Sequence, residues 1–252
     1  MFLIRVRSAK NDMTTVKQIL RLIRYELDPP HNVPPTGRVR YGALRRLEPL
    51  DPDFGFGRGM SIARFYIYEF LRQHAADVKG HVLEVGDEKC TKMFGGHKVT
   101  KNDILHVSPE SKQATIVADL SGPTADSIPS NSFDCVIFTQ TLQFIYDMKT
   151  AVKSIHRILK PGGVLLMTGN GISQISTYDD ARWGEYWRFT SRSLSRLSNE
   201  FFDSEKVRVY TYGNVLVTAC YLFGVSATEL RSSELAYHDN RYQLIIGVRA
   251  EK

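Results

Sequence analysis

The chain has 252 residues, 42% of them hydrophobic and 11% aromatic, and a formal net charge of +6. That is enough apolar material for one domain with an extension, and it excludes disordered and collagen-like chains. Ten of the 33 Lys/Arg, against only Asp12, Glu26 and Asp28 among the 27 acids, fall in residues 1–46, so the basicity belongs to the N-terminal arm.

Taken in chain order, "MFLIRVRSAK" has no long apolar stretch and no cleavage pattern, and no window reaches the roughly 18 apolar residues of a membrane span. A cytoplasmic protein is expected. The arm attracts phosphate or is a solvated helix face; its arginines are not interleaved with aromatics, which favours the latter and disfavours nucleic acid. Val16, Ile19, Leu20 and Ile23 predict a helix over Met13–Leu27, broken by the prolines of "DPPHNVPP". Residues 1–60 therefore read as a basic arm or cap, and "GFGRG" at 55–59 as a hinge into a domain over 61–252.

Beyond Ser61 the period alternates between helix and strand. An aromatic helix spans 63–74, and apolar strands are expected at 82–85, 115–118, 134–138 and 163–167, with a short one near 98–106. Continuously apolar strands belong to parallel sheets covered on both faces. Met148, Ala151, Val152, Ile155, Ile158 and Leu159 form one helical stripe that stops at "KPGG". "KVRVYTY" and "YQLIIGVRA" close the sheet as an antiparallel pair around an insertion at about 214–240. "NVLVTACYLFG" within it suits a packing helix or a contact between two copies in a homodimer. Cys90, Cys135 and Cys220 form no C-x-x-C pair, so neither a disulfide framework nor a zinc site is supported.

"FDCVIFTQTLQFIYD" followed by "AVKSIHRILKPGGVLLMTG" resembles two motifs of Rossmann-like (class I) S-adenosylmethionine-dependent methyltransferases, and the likeness runs over about residues 80–170. "YWRFTSRSL" at 186–194 resembles a stretch of small-molecule and sugar-modifying members. The resemblance implies a doubly wound α/β sheet, mostly parallel with an antiparallel final strand, and S-adenosylmethionine as cofactor. It also implies methyl transfer to an oxygen of a small molecule, a saccharide or secondary metabolite.

For the cofactor the resemblance points to Glu84 and Gly86 after the first strand, Asp103 as the acid for the ribose hydroxyls, and Asp119 with the Leu120 amide for the adenine. Tyr66 and Gln140 complete that set. Glu88 and Cys90 stand where glycines are expected, which disfavours a dinucleotide more than a sulfonium cofactor. Asp103 follows Glu84 by only 19 residues, so the first crossover must be short or irregular. Tyr146, Trp183, Trp187 and Arg188 are expected around the acceptor, with His238 and Asp180 as candidate bases. Two other readings stay open: a protein of this fold that binds cofactor or ligand without methylating, and a nucleic-acid methyltransferase using the basic arm. "TQTL" after the fourth strand lacks the proline loop of base amino-methylation.

Overall fold

A computed structural model describes residues 33–252, so the helix expected at Met13–Leu27 and the "DPPH" turn lie outside the described residues. The chain divides into two units, Met1–Leu47 and Glu48–Lys252. In the first, the Arg38 amide donates to the Pro35 carbonyl at 3.0 Å, and a single 3-10 turn spans Gly42–Leu44.

The second unit is built on seven strands: β1 (Gly80–Val85), β2 (Val99–His106), β3 (Ile116–Val117), β4 (Phe133–Thr139), β5 (Leu159–Asn170), β6 (Val207–Tyr212) and β7 (Ile245–Glu251). Their order is β3-β2-β1-β4-β5-β7-β6. The pairings from β3 to β5 are parallel, and β7 runs antiparallel to both β5 and β6. Strand alternation sorts the core into two layers. Val136 and Phe138 enter one, with Leu83, Leu165 and Met167; Cys135 and Ile137 enter the other, with Val82, Val164 and Leu166. Both faces are apolar because helices cover both.

On the first face lie α2 (Met148–Ile158) and α4 (Ser191–Ser198), which bury Val152, Ile155, Leu194 and Leu197. The Asp147 carboxylate starts α2 by accepting from the Thr150 amide at 3.1 Å. The chain turns into β5 at "KPGG", where Gly162 holds a left-handed φ of 77° that a side chain would strain. On the second face lie α1 (Ile62–Gln73) and, in the insertion, α5 (Val215–Leu222) and α6 (Ser232–Ala236). A short α3 (Thr177–Trp183) follows β5. Because β7 lies inside the sheet, its Ile245, Ile246 and Val248 are wholly buried, and Gly247 leaves room for the Phe70 ring: a Cβ there would sit 2.6 Å from Phe70 Cδ2.

Two local expectations change. The glycines at 55–59 are not a hinge: a Cβ at Gly55 would meet the Val225 carbonyl at 2.9 Å, Leu50 N–H donates to the Phe223 carbonyl at 2.7 Å, and Arg58 pairs with Glu229. Residues 48–60 are thus strapped to the late insertion. Tyr66, expected at the cofactor, is a core residue of α1; its hydroxyl donates to the Leu235 carbonyl at 2.9 Å, and burial pushes its phenol up to about 12. Tyr66→Phe should cost about 0.5–1.5 kcal/mol in denaturant unfolding, the worth of one such bond, and leave cofactor affinity unchanged in calorimetry. The short first crossover is irregular: it holds a π-helical turn, Thr91–Gly95, and a 3-10 turn, Gly96–Lys98.

Cys90, Cys135 and Cys220 are free and buried. Among the described residues, no helix is long and apolar enough to cross a membrane.

Candidate functional site

Parallel strands end at one edge of the sheet, and loops leaving a doubly wound sheet there enclose ligands. At this edge lies a cavity of about 610 Å³. The strand order gives it two sides, the ends of β1, β2 and β3 on one and those of β4 and β5 on the other.

On the first side Glu84, Gly86, Asp119 and Leu120 all line the cavity. Gly86 has a φ of 91° and nothing within 4 Å of where a Cβ would stand, so a ligand can reach the backbone there. The glycine-poor turn that follows has its own logic. Glu84 is buried, and its carboxylate accepts from the Cys90 amide at 3.0 Å and from the Thr91 amide and hydroxyl, each at 2.7 Å. Burial raises the Glu84 carboxyl above its ordinary value, against these hydrogen bonds. Both Glu84 oxygens are therefore spent on shaping the turn. Asp119 accepts from the Ser121 amide and hydroxyl through Oδ1. Its Oδ2 has no hydrogen bond among the described residues.

Asp103 is not at this edge. The register pairs it with Leu83, three residues before Gly86, and it makes a separate cluster with His81 at 2.6 Å, Lys101 at 3.0 Å and Thr115 at 2.8 Å. The last residue of β2 is His106, which lines the cavity. Its Nδ1 lies 2.9 Å from the Ser108 amide nitrogen and 3.2 Å from the Ser108 carbonyl oxygen, while its Nε2 has no hydrogen bond among the described residues. The Ser108-Pro109 break was the sequence signal for that strand end.

On the second side the cavity is lined by Gln140, Gln143, Phe144, Tyr146, Asn170, Asp179, Trp183, Glu185 and Tyr186. Gln140, directly after β4, has a φ of 51°, a strained setting for a side-chain residue that is concentrated at functional sites. Of the expected acceptor residues, Tyr146 and Trp183 line the cavity, and Trp187 and Arg188 do not. Trp187 backs Tyr146, with ring centroids 5.7 Å apart, and donates to the Ile145 carbonyl at 3.1 Å. The Arg188 guanidinium is consumed by the carbonyls of Ser173, Gln174 and Trp187 and by Glu185 at 2.9 Å, so it holds the loop together.

Neither candidate base reaches the cavity. His238 is bound to Thr211 at 3.1 Å and Asn240 at 2.8 Å, beside the outer strand β6. Asp180 is exposed, and its Oδ1 accepts from the Glu185 amide at 2.9 Å. Its neighbour Asp179 faces the cavity. Asp179 Oδ2 accepts from the Ser176 hydroxyl at 2.7 Å, leaving Oδ1 without a hydrogen bond among the described residues. Ser176-x-x-Asp179 is a helix-start signature that marked this aspartate in the sequence.

Residues 53–167 match the family model described as a methyltransferase domain. Over that stretch, fewer than half of its residues, the chain is thus similar to a methyltransferase domain, and its fold is Rossmann-like. Among curated proteins, the chain is 33% identical over 92 residues to a ubiquinone/menaquinone biosynthesis C-methyltransferase (UbiE) of Haemophilus ducreyi, a match covering 36% of this chain and 29% of that protein. It is 30% identical over 109 residues to the protein of the same description from Pectobacterium carotovorum, covering 42% and 37%. The chain thus spans about a third of the length of these relatives. Among solved structures, the [4+2]-cyclase SpnF has a TM-score of 0.50 at 16% identity, over 78% of this chain and 84% of that one. A SAM-dependent methyltransferase from Archaeoglobus fulgidus has a TM-score of 0.49 at 11% identity, over 75% and 94%.

Proposed function

We propose that this protein transfers the methyl group of S-adenosylmethionine to a hydroxyl oxygen of a small molecule, a saccharide or secondary metabolite. The observation that carries this reading is the single cavity that joins the open Gly86 and the free Asp119 carboxylate oxygen to an aromatic chamber holding Asp179. In it Gly86 admits the amino-acid end of the cofactor, and Asp119 Oδ2 accepts from the adenine amino group. His106 takes the ribose: β2 lies between β1 and β3, and its ring Nε2 hydrogen-bonds a hydroxyl.

The bound cofactor supplies an activated methyl group on a sulfonium. What the chain contributes is alignment, with the aromatic walls placing the acceptor oxygen in line behind the methyl carbon at about 3–3.5 Å. Held by Gly86, His106 and Asp119, the cofactor would give up its methyl group at the expense of its own carbon–sulfur bond. Asp179 Oδ1 takes the hydroxyl proton.

Calorimetry with S-adenosylhomocysteine tests the cofactor half of this reading. Wild type should bind it, and His106→Ala and Asp119→Ala should each weaken binding by about tenfold, the worth of a hydrogen bond of roughly 1.4 kcal/mol. No heat and no thermal stabilisation at millimolar ligand would sink the reading, since a ligand bound to the native state raises its stability by mass action. The similar fold of a protein described as a cyclase gives the second reading, binding without methylation. Binding with no label transfer from methyl-labelled cofactor to any hydroxyl acceptor would select it.

A further inference from the structure

We propose that the acceptor is an uncharged ring bearing adjacent hydroxyl groups, a saccharide, and that the side-chain amides of Asn170 and Gln143 recognise the hydroxyl pair. This rests on the methyl-transfer reading above and adds the acceptor's chemistry to it. Asn170 is the last residue of β5 and Gln143 lies in the 3-10 turn Leu142–Phe144 that follows β4, on the side of the cavity away from Gly86, His106 and Asp119.

Their amides belong to one polarised chain. Gln140 Nε2 donates to the Thr168 hydroxyl oxygen at 3.2 Å, and Gln143 Nε2 donates to the Gln140 backbone carbonyl at 3.0 Å and to Gln140 Oε1 at 3.3 Å. Turning the Gln143 amide over would press its carbonyl against two oxygens, so its orientation is dictated by its partners. Gln143 Oε1 is then the acceptor end of the chain, and among the described residues it has no partner although Gln143 is 1% exposed. Asn170 lies two residues past Thr168, on the same face of β5, and is 8% exposed. Its Oδ1 also has no partner.

Buried carbonyls without a donor are rare in native proteins, and here the two residues that carry them both line one side of one cavity. What satisfies them must bring hydrogen-bond donors. Asn170 presents its carbonyl beside an amide N–H₂, the pairing that suits neighbouring hydroxyls, each of which gives one hydrogen bond and accepts another. Tyr146, Trp183 and Tyr186 supply flat walls for the apolar face of a ring. Charge excludes an anionic acceptor. The charged groups on this side are Asp179 and Glu185, the latter paired with Arg188, whereas the lining cation Arg64 stands by Asp87 on the β1 side.

The test is saturation-transfer NMR on the full chain, with and without S-adenosylhomocysteine. The probes are the methyl glycosides of glucose, galactose and mannose, set against cyclohexanol, phenol and benzylamine. At least one glycoside should saturate while the three controls do not. Asn170→Leu and Gln143→Met should each weaken it by about tenfold or more, because a site that loses a matched polar partner discriminates strongly. Neither variant should change the affinity for S-adenosylhomocysteine.

Saturation of phenol or benzylamine in preference to every glycoside, or no saturation by any glycoside, overturns the proposal. So does wild-type glycoside affinity in Asn170→Leu. A thermal melt guards against misfolding: Asn170→Leu removes an unpaired buried carbonyl and should melt no lower than wild type, and a clear drop would assign Asn170 a structural role and end the proposal. A protein that binds S-adenosylhomocysteine but no glycoside refutes the acceptor alone. One that binds glycoside but not S-adenosylhomocysteine refutes the methyl-transfer reading alone.

Discussion

Asp179→Asn is expected to lower methyl turnover by about 10²- to 10⁴-fold, the usual worth of a positioned base, with the cofactor dissociation constant changed by no more than about twofold. Asparagine keeps the size of the side chain and can still accept from the Ser176 hydroxyl, but its neutral amide does not serve as a base. The comparison variants are Asp180→Asn and His238→Ala. Both side chains lie outside the cavity and are engaged elsewhere, by the Glu185 amide and by Thr211 and Asn240 respectively. They should turn over at near wild-type rates once differences in stability are allowed for. A label-transfer assay at saturating cofactor and acceptor decides the matter. Near-normal turnover by Asp179→Asn would leave alignment as the whole of the chemistry, and loss in Asp180→Asn alone would restore the other aspartate.

The largest effect on folding should come from Phe70→Ala, at about 3–5 kcal/mol by denaturant unfolding, the range for emptying a buried aromatic site. Phe70 is fully buried on α1, touches His74 and Tyr210 with ring centroids 4.9 and 5.8 Å away, and closes over the missing side chain of Gly247. The hole would open between a helix and a central strand, both anchored by many other contacts, so the site cannot collapse to fill it. Because α1 also carries the cavity-lining Ala63, Arg64 and Ile67, the variant should bind cofactor more weakly near its melting temperature than well below it. A loss under about 1 kcal/mol would mean that the helix repacks freely and that this layer is not close-packed.

How far the site could be read from residues follows from the kind of signal each one carried. Gly86, Asp119 and Leu120 follow short apolar runs and Glu84 is the last but one residue of β1, and a run that ends in a turn marks a strand end; all four line the cavity. Asp103 misled because it lies inside β2, at the start of its buried run Asp103-Ile104-Leu105, and not at the strand's end. Counting from Glu84 favoured the only acid in reach, whereas pairing with β1 sets Leu105 beside Val85 and so carries His106 to the edge. Asp179 and Asp180 show the same limit on a helix. Neighbours there point about 100° apart, and only Asp179 lines the cavity; the signal that separates the two is the helix start at Ser176, outside "YDDAR". Trp187 and Arg188 look like ligand contacts as residue types, but their neighbours in space use up their polar atoms.

What the sequence by itself determined is the layer architecture and its polarity. Apolar runs of strand length, the stripe on Met148–Ile158 and the Lys-Pro-Gly-Gly turn admit little besides a parallel sheet between helices, because burial on both faces is the only way to keep those side chains from water. Tertiary structure alone decided the chemistry at the rim: which strand residue comes last, which aspartate turns inward, and that the Gln143 and Asn170 carbonyls are left without partners. Those outcomes depend on register between strands far apart in the chain and on hydrogen bonds already spent elsewhere. Such quantities are set by all the partners together and are written in no single stretch of residues.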